Sequence, residues 1–197
     1  MAINSNKLID NIYEVVDTFI QDWQNSPYEW NTEIELQAEI YGRIVNMLRD
    51  FLIQKAKYKV KDERFWDMQK YRRVSCEPAT NYRDKNGVLL YGFPDIVVYD
   101  DFPNPNSPPD FSSREKNWPM LWVCEIKYQN EFYGGCSRGQ EKWDIEKMQY
   151  LMEYNEGKTR YACCLYFDRT IPNTMNSLKI SEDGNIRNYR IMLPKSV

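Results

Sequence analysis

The chain has 197 residues, 42% of them hydrophobic and 28% charged, with 26 Lys and Arg against 29 Asp and Glu for a net charge of −3. That is the balance of one folded domain with a sizeable core, and no overall basic field points to nucleic acid. There is no histidine, which excludes Ser-His-Asp and Cys-His catalysis, His-ligated zinc and histidine-dependent nucleases and phosphodiesterases. Chemistry in this chain has to run on carboxylates, lysine, tyrosine, serine or cysteine.

Two helices are predicted first. From Lys7 to about Trp23 the apolar residues Leu8, Ile9, Ile12, Val15, Val16, Phe19, Ile20 and Trp23 follow the helical period, and Asn25-Ser26-Pro27 ends it. A second helix opens at Thr32, where Glu35 three residues on makes a capping box, and runs to about Lys57 on a stripe of Leu36, Ile40, Ile44, Met47, Leu48 and Phe51. The period then changes to two. Tyr71–Pro78 reads as a strand, Asn86-Gly87 as a turn, and Val88–Tyr91 leads through Gly92 into an apolar strand from Phe93 to Tyr99. The proline- and serine-rich stretch 101–117 is a surface loop. Met120–Tyr128 is a strand, about Glu141 to Tyr154 a third helix with apolar Trp143, Ile145, Met148, Leu151 and Met152, and Tyr161–Phe167 and Ile186–Leu193 are further strands. The order α-α-β-β-β-α-β-β predicts an α/β domain, a mixed sheet flanked by helices, with the N-terminal helix 7–24 packed on a core of residues 32–193.

Five cysteines, Cys76, Cys124, Cys136, Cys163 and Cys164, include no CxxC pair. The start of the chain lacks a signal-peptide pattern and no apolar run approaches the roughly 18 residues of a membrane span. Reduced thiols in a cytoplasmic protein, with no membrane partner, are the expectation. An iron–sulfur cluster is disfavoured because Cys163 and Cys164, adjacent on a strand, point to opposite faces.

The informative residues sit on two strands. Asp95 follows Pro94 at the head of an apolar strand. Glu125 and Lys127, one residue apart, share a face of another, while Cys124 and Ile126 point the other way. An acid and a lysine on one face of a core-like strand are costly to bury unless they serve each other or a metal. If the strands pair, Asp95 and Glu125 can converge on one hard cation with Lys127 beside it. On the second helix, at about 100° per residue from Leu36, Glu33 and Gln37 fall within the apolar stripe while Glu35 and Glu39 fall off it. Glu33 is therefore the preferred helix carboxylate, with Glu39 second.

Pro94-Asp95 followed by Glu125-Ile126-Lys127 resembles the PD-(D/E)XK nuclease superfamily, with its restriction-endonuclease-like fold. The resemblance spans about residues 32 to 167, in the order helix, three strands, helix, strand, and the opening of the second helix and the polar third helix also look like the family's. It implies Mg²⁺ or Mn²⁺ held by Asp95, Glu125, the Ile126 carbonyl and Glu33, with Lys127 on the attacking water or the phosphate. The implied activity is hydrolysis of phosphodiester bonds in nucleic acid, DNA before RNA. By analogy a homodimer would cut both strands. A locally basic rim of Arg72, Arg73, Arg83, Lys85, Arg138 and Lys142 would meet the substrate.

Each piece alone has an ordinary reading. An ExK pair on a strand is commonly a solvated ion pair, Glu33 a first-turn acid complementing the helix dipole, Arg72-Arg73 a wet strand face, and Asp144 with Lys147 a pair on the helix surface. The apolar residues from Trp143 to Met152 read as core. Two rivals follow: a restriction-endonuclease-like module that binds or assembles without cutting, and an unrelated α/β protein whose acids are structural ion pairs.

Overall fold

A computed structural model describes residues 5–50, 53–55, 69–71, 73–78, 80–100, 119–130, 138–153, 159–170 and 178–193. Helix α1, Ser5–Asn25, buries the predicted stripe from Leu8 to Trp23. Helix α2, Glu33–Met47, starts where its capping box requires: Thr32 accepts from the Glu35 backbone N–H, and the Glu35 carboxylate accepts from the Thr32 N–H at 3.0 Å. It ends earlier than Lys57. Leu48 is its C-cap, with the N–H closing on the Ile44 carbonyl at 2.9 Å. Residues 53–55 are instead strand β1, Ile53–Lys55, paired antiparallel with β2, Gln69–Tyr71.

The main sheet has six strands in the order β3-β6-β7-β8-β10-β9, where β3 is Val74–Cys76, β6 Ile96–Tyr99, β7 Met120–Gln129, β8 Tyr161–Asp168, β9 Leu178–Asp183 and β10 Ile186–Met192. β3, β6 and β7 form an antiparallel meander. Helix α3, Arg138–Glu153, lies between β7 and β8, which run parallel as a helical crossover requires. β10 continues parallel to β8, and β9, not predicted as a strand, closes the edge antiparallel to β10. A separate hairpin joins β4, Thr80–Arg83, to β5, Leu89–Gly92, through the Asn86-Gly87 turn. There Gly87 has φ +79°, a conformation glycine adopts freely, and the Asp84 carboxylate accepts from the N–H groups of Asn86 and Val88, both at 2.8 Å.

The architecture is a mixed α/β sheet covered on both faces. One face meets α1 and α2: Ile96, Trp122, Cys124, Ile126, Cys163, Leu165 and Phe167 pack with Phe19, Trp23, Ile40 and Ile44. The opposite face meets α3 and the hairpin, where Val123, Cys164 and Tyr166 pack with Met148, Leu151 and Tyr82. Cys163 and Cys164 do lie on opposite faces. Among the described residues no helix is long and apolar enough to cross a membrane. The 101–117 loop and Cys136 fall outside the described residues.

Trp143 departs from its expected place in the core, being 60% exposed. The buried stripe of α3 is Asp144, Lys147, Met148 and Leu151, at positions i, i+3, i+4 and i+7, which leaves Trp143 outside it.

Candidate active site

The antiparallel pairing of β6 with β7 sets Ile96 opposite Cys124, so Asp95, one residue before the ladder, arrives beside Glu125 and Ile126. Its Oδ2 accepts from the Ile126 N–H at 2.6 Å. Its carbonyl is held twice, by the Gln37 side-chain amide at 2.8 Å and the Glu77 N–H at 3.2 Å. Gln37 is buried on the same helix face as Leu36 and Ile40, and it fastens α2 to the head of β6.

Lys127 stands at the centre. Its Nζ donates to Glu125 Oε1 at 3.1 Å, Glu33 Oε1 at 3.3 Å and the Ile126 carbonyl at 2.9 Å, and lies 4.0 Å from Asp95 Oδ2. Glu33 reaches in from the first turn of α2, and its other oxygen accepts from the Tyr128 N–H at 3.3 Å. Of the two helix carboxylates considered, Glu33 is the one at this cluster. Glu39 instead pairs with Arg43, which also binds Asp22.

Helix α3 contributes two residues that the sequence assigned to a surface pair. Lys147 is buried, with Nζ 2.7 Å from Glu125 Oε2 and 3.5 Å from the Phe93 carbonyl. Asp144 is 2% exposed, and its Oδ2 has no hydrogen-bond partner among the described residues. The signal for both was present in the i, i+3, i+4, i+7 spacing with Met148 and Leu151. It was obscured because charged residues on a helix are read as solvent-facing by default.

The electrostatics follow from four buried or half-buried acids sharing two lysines. Burial, and next the Glu125 charge, push the Asp95 carboxyl up to about 7 against the opposing pull of the Ile126 N–H and Lys127. Burial and Glu125 also push Asp144 up to about 6, with Lys127 and Lys147 opposing. Burial works against the Lys127 ammonium, but Glu125, Asp95, Glu33 and Asp144 outweigh it and hold its pKa above the ordinary lysine value. The cluster is short of positive charge.

The donor set fits a hard divalent cation: three carboxylates and a carbonyl, all oxygen, with no thiol or imidazole among them. Among the described residues no three acids or thiols stand close enough to form a ready-made metal cage. The carboxylates are instead arrayed around the Lys127 ammonium.

The basic rim is only partly as expected. Arg83, Lys85 and Lys142 are exposed. Arg73 is not a rim residue: it is 2% exposed and donates to the Tyr99 carbonyl at 3.2 Å, tying the end of β3 to β6. Arg72 and the side chain of Arg138 lie outside the described residues.

Comparison of the chain with protein-family models, curated proteins and solved structures finds no match.

Proposed function

We propose that the protein is a Mg²⁺- or Mn²⁺-dependent nuclease of PD-(D/E)XK type, hydrolysing phosphodiester bonds in nucleic acid, with DNA as the substrate. The observation that carries this reading is the convergence of Glu33, Asp95, Glu125 and the Ile126 backbone on Lys127, from three separate elements. Further support comes from the element order: α2, an antiparallel meander, the α3 crossover and a parallel strand, with the acids at the head of the second meander strand and on the third. Counting only the strands of the main sheet, with the β1–β2 pair and the β4–β5 hairpin as additions between α2 and β6, this is the order the restriction-endonuclease-like resemblance implies.

Glu33, Asp95, Glu125 and the Ile126 carbonyl would hold the cation. When bound, it supplies an acidified water and neutralises charge on the phosphate. The chain's own residues do the rest. The Ile126 N–H fixes one Asp95 oxygen, and Gln37 and the Glu77 N–H fix its backbone, so the carboxylate keeps its aim. Lys147 orients Glu125 from behind through a buried 2.7 Å contact. Lys127 would supply positive charge to a phosphate oxygen or a nucleophilic water beside these carboxylates. No histidine is required for such chemistry.

A second reading, a binding or assembly module that does not cut, is favoured by one observation: the two lysines already give Glu125 a cation on each oxygen. Incubation with single- and double-stranded DNA and RNA in Mg²⁺, Mn²⁺ or chelator separates the two. The nuclease reading expects cleavage that depends on the metal and disappears in Glu125→Ala. Intact substrates throughout, with no change in melting temperature on adding Mn²⁺, would overturn it.

A further inference from the structure

Beside the acid cluster, the β4–β5 hairpin carries an outer face of unusual composition. Its inward positions, Tyr82 and Leu90 with Gly92, pack toward Met148 and Lys147. Its outward positions on β5 and just beyond are Leu89, Tyr91 and Phe93, the last two 69% and 58% exposed. A single exposed apolar residue is ordinary. Three at i, i+2 and i+4 are not, because the wet face of an antiparallel pair is normally polar.

The charges around this row are two cations and one acid. Arg83 lies directly opposite Leu89, and Lys85 is exposed at the turn. The hairpin's acid, Asp84, is held in the turn by the N–H groups of Asn86 and Val88. The row also runs into the candidate site: the Phe93 carbonyl meets Lys147 at 3.5 Å, and Asp95 follows two residues on.

Resting on the nuclease reading above, we infer that the outer face of the hairpin binds an unpaired DNA strand, stacking bases on Tyr91 and Phe93 and delivering the backbone to Asp95, Glu125 and Lys127. Alternate side chains along a strand stand about 6.6–6.8 Å apart. That is roughly twice the 3.4 Å rise of stacked bases along one strand of a duplex. The row therefore matches bases splayed one per side chain, and a duplex hides the faces it would contact. Aromatic faces accept any base, while Arg83 and Lys85 supply the phosphate attraction that a protein of net charge −3 lacks overall.

The test is fluorescence anisotropy in chelator, where nothing is cut, with a labelled oligothymidylate of about 20 nucleotides, longer than one site of roughly 4–16. Its duplex with oligodeoxyadenylate and an oligouridylate of equal length are the comparison arms. The expected result is single-stranded DNA bound at least about tenfold tighter than duplex, with Tyr91→Ala and Phe93→Ala each weakening it by roughly 5- to 160-fold. Tyr91→Phe, which keeps the ring, should retain most of the affinity. Affinity for duplex equal to that for single strand, an unchanged Tyr91→Ala, or tighter binding of the RNA would overturn the assignment. Binding in chelator does not depend on turnover. Failure of the nuclease reading would thus appear as no metal-dependent cleavage of any arm with the anisotropy result standing. Failure of the hairpin proposal would appear in the anisotropy alone.

Discussion

Among the charge clusters of the described residues, two with the same composition, two acids to each cation, can be set side by side. Between α1 and α2, Arg43 binds Asp22 at 2.6 Å and Glu39 at 2.8 Å, with side chains 28%, 45% and 40% exposed in that order. At the sheet, Glu33, Asp95, Glu125 and Asp144 share Lys127 and Lys147, and the Glu125 and Lys147 side chains are only 7% and 6% exposed. Water solvates and screens the surplus negative charge of the first cluster. It cannot do so for the second, where Asp95 and Asp144 are pushed toward their neutral forms and one Asp144 oxygen lacks a partner among the described residues. The difference lies in burial, and a buried deficit of positive charge is one that protons or a divalent cation would fill.

The largest effect should come from breaking the buried cluster at Glu125. Glu125→Ala leaves Lys147 buried without its acid, a loss of roughly 3–5 kcal/mol in stability, and should abolish both Mn²⁺ binding and hydrolysis. Lys127→Ala should keep Mn²⁺ binding, tightened by removal of a nearby like charge, while turnover falls by about 10²–10³. Titration calorimetry with Mn²⁺ beside a cleavage assay reads both. Equal metal affinities for the two variants would mean that acid and lysine do not divide the work in this way.

A smaller effect should appear with pH. Asp95, raised to about 7, and Asp144, raised to about 6, keep protons in the folded state that the unfolded chain releases near 4. The folded state therefore binds more protons across this window, and stability in chelator should fall as pH rises from about 4 to about 7. Asp95→Asn should flatten the fall and raise stability on the alkaline side. Urea midpoints measured across the window provide the check. Stability that rises with pH and ignores Asp95→Asn would contradict the charge deficit.

The same contrast explains what could be read from the sequence. Elements with strict apolar periods, α1, β7 and β8, emerge close to their observed bounds because burial alone specifies them. Asp95, Glu125 and Lys127 could be singled out because charge on an apolar strand is conspicuous, and Glu33 because it lies in line with an apolar stripe. β4 and β9 carry no such run, and their strand state comes from partners across the turns at Gly87 and Gly184. Asp144 and Lys147 went unrecognised for a related reason: polar residues are usually outside, and only the tertiary approach of α3 to Glu125 turns them inward. The same logic puts Arg73 outside, whereas its burial is set by a carbonyl at the end of β6.

The smallest effect belongs to the solvated cluster, and it tests the comparison from the other side. Glu39→Gln removes one of two acids from Arg43, which keeps Asp22 and remains stacked over the Phe19 ring at 5.1 Å from its centroid. Exposed pairs of this kind contribute about 0.2–1 kcal/mol, and i,i+4 helix pairs about 0.3–0.5 kcal/mol. Both partners lie within reach of mobile ions, so raising the salt from about 0.1 to about 1 M, which shortens the screening length from about 10 to about 3 Å, should erase most of the difference between wild type and variant. Urea denaturation at the two salt concentrations measures it. A loss above about 2 kcal/mol, or one that salt leaves untouched, would show that Arg43 and its acids are not relieved by solvent. Burial would then no longer distinguish the two clusters, and the deficit at Glu125 would need another cause.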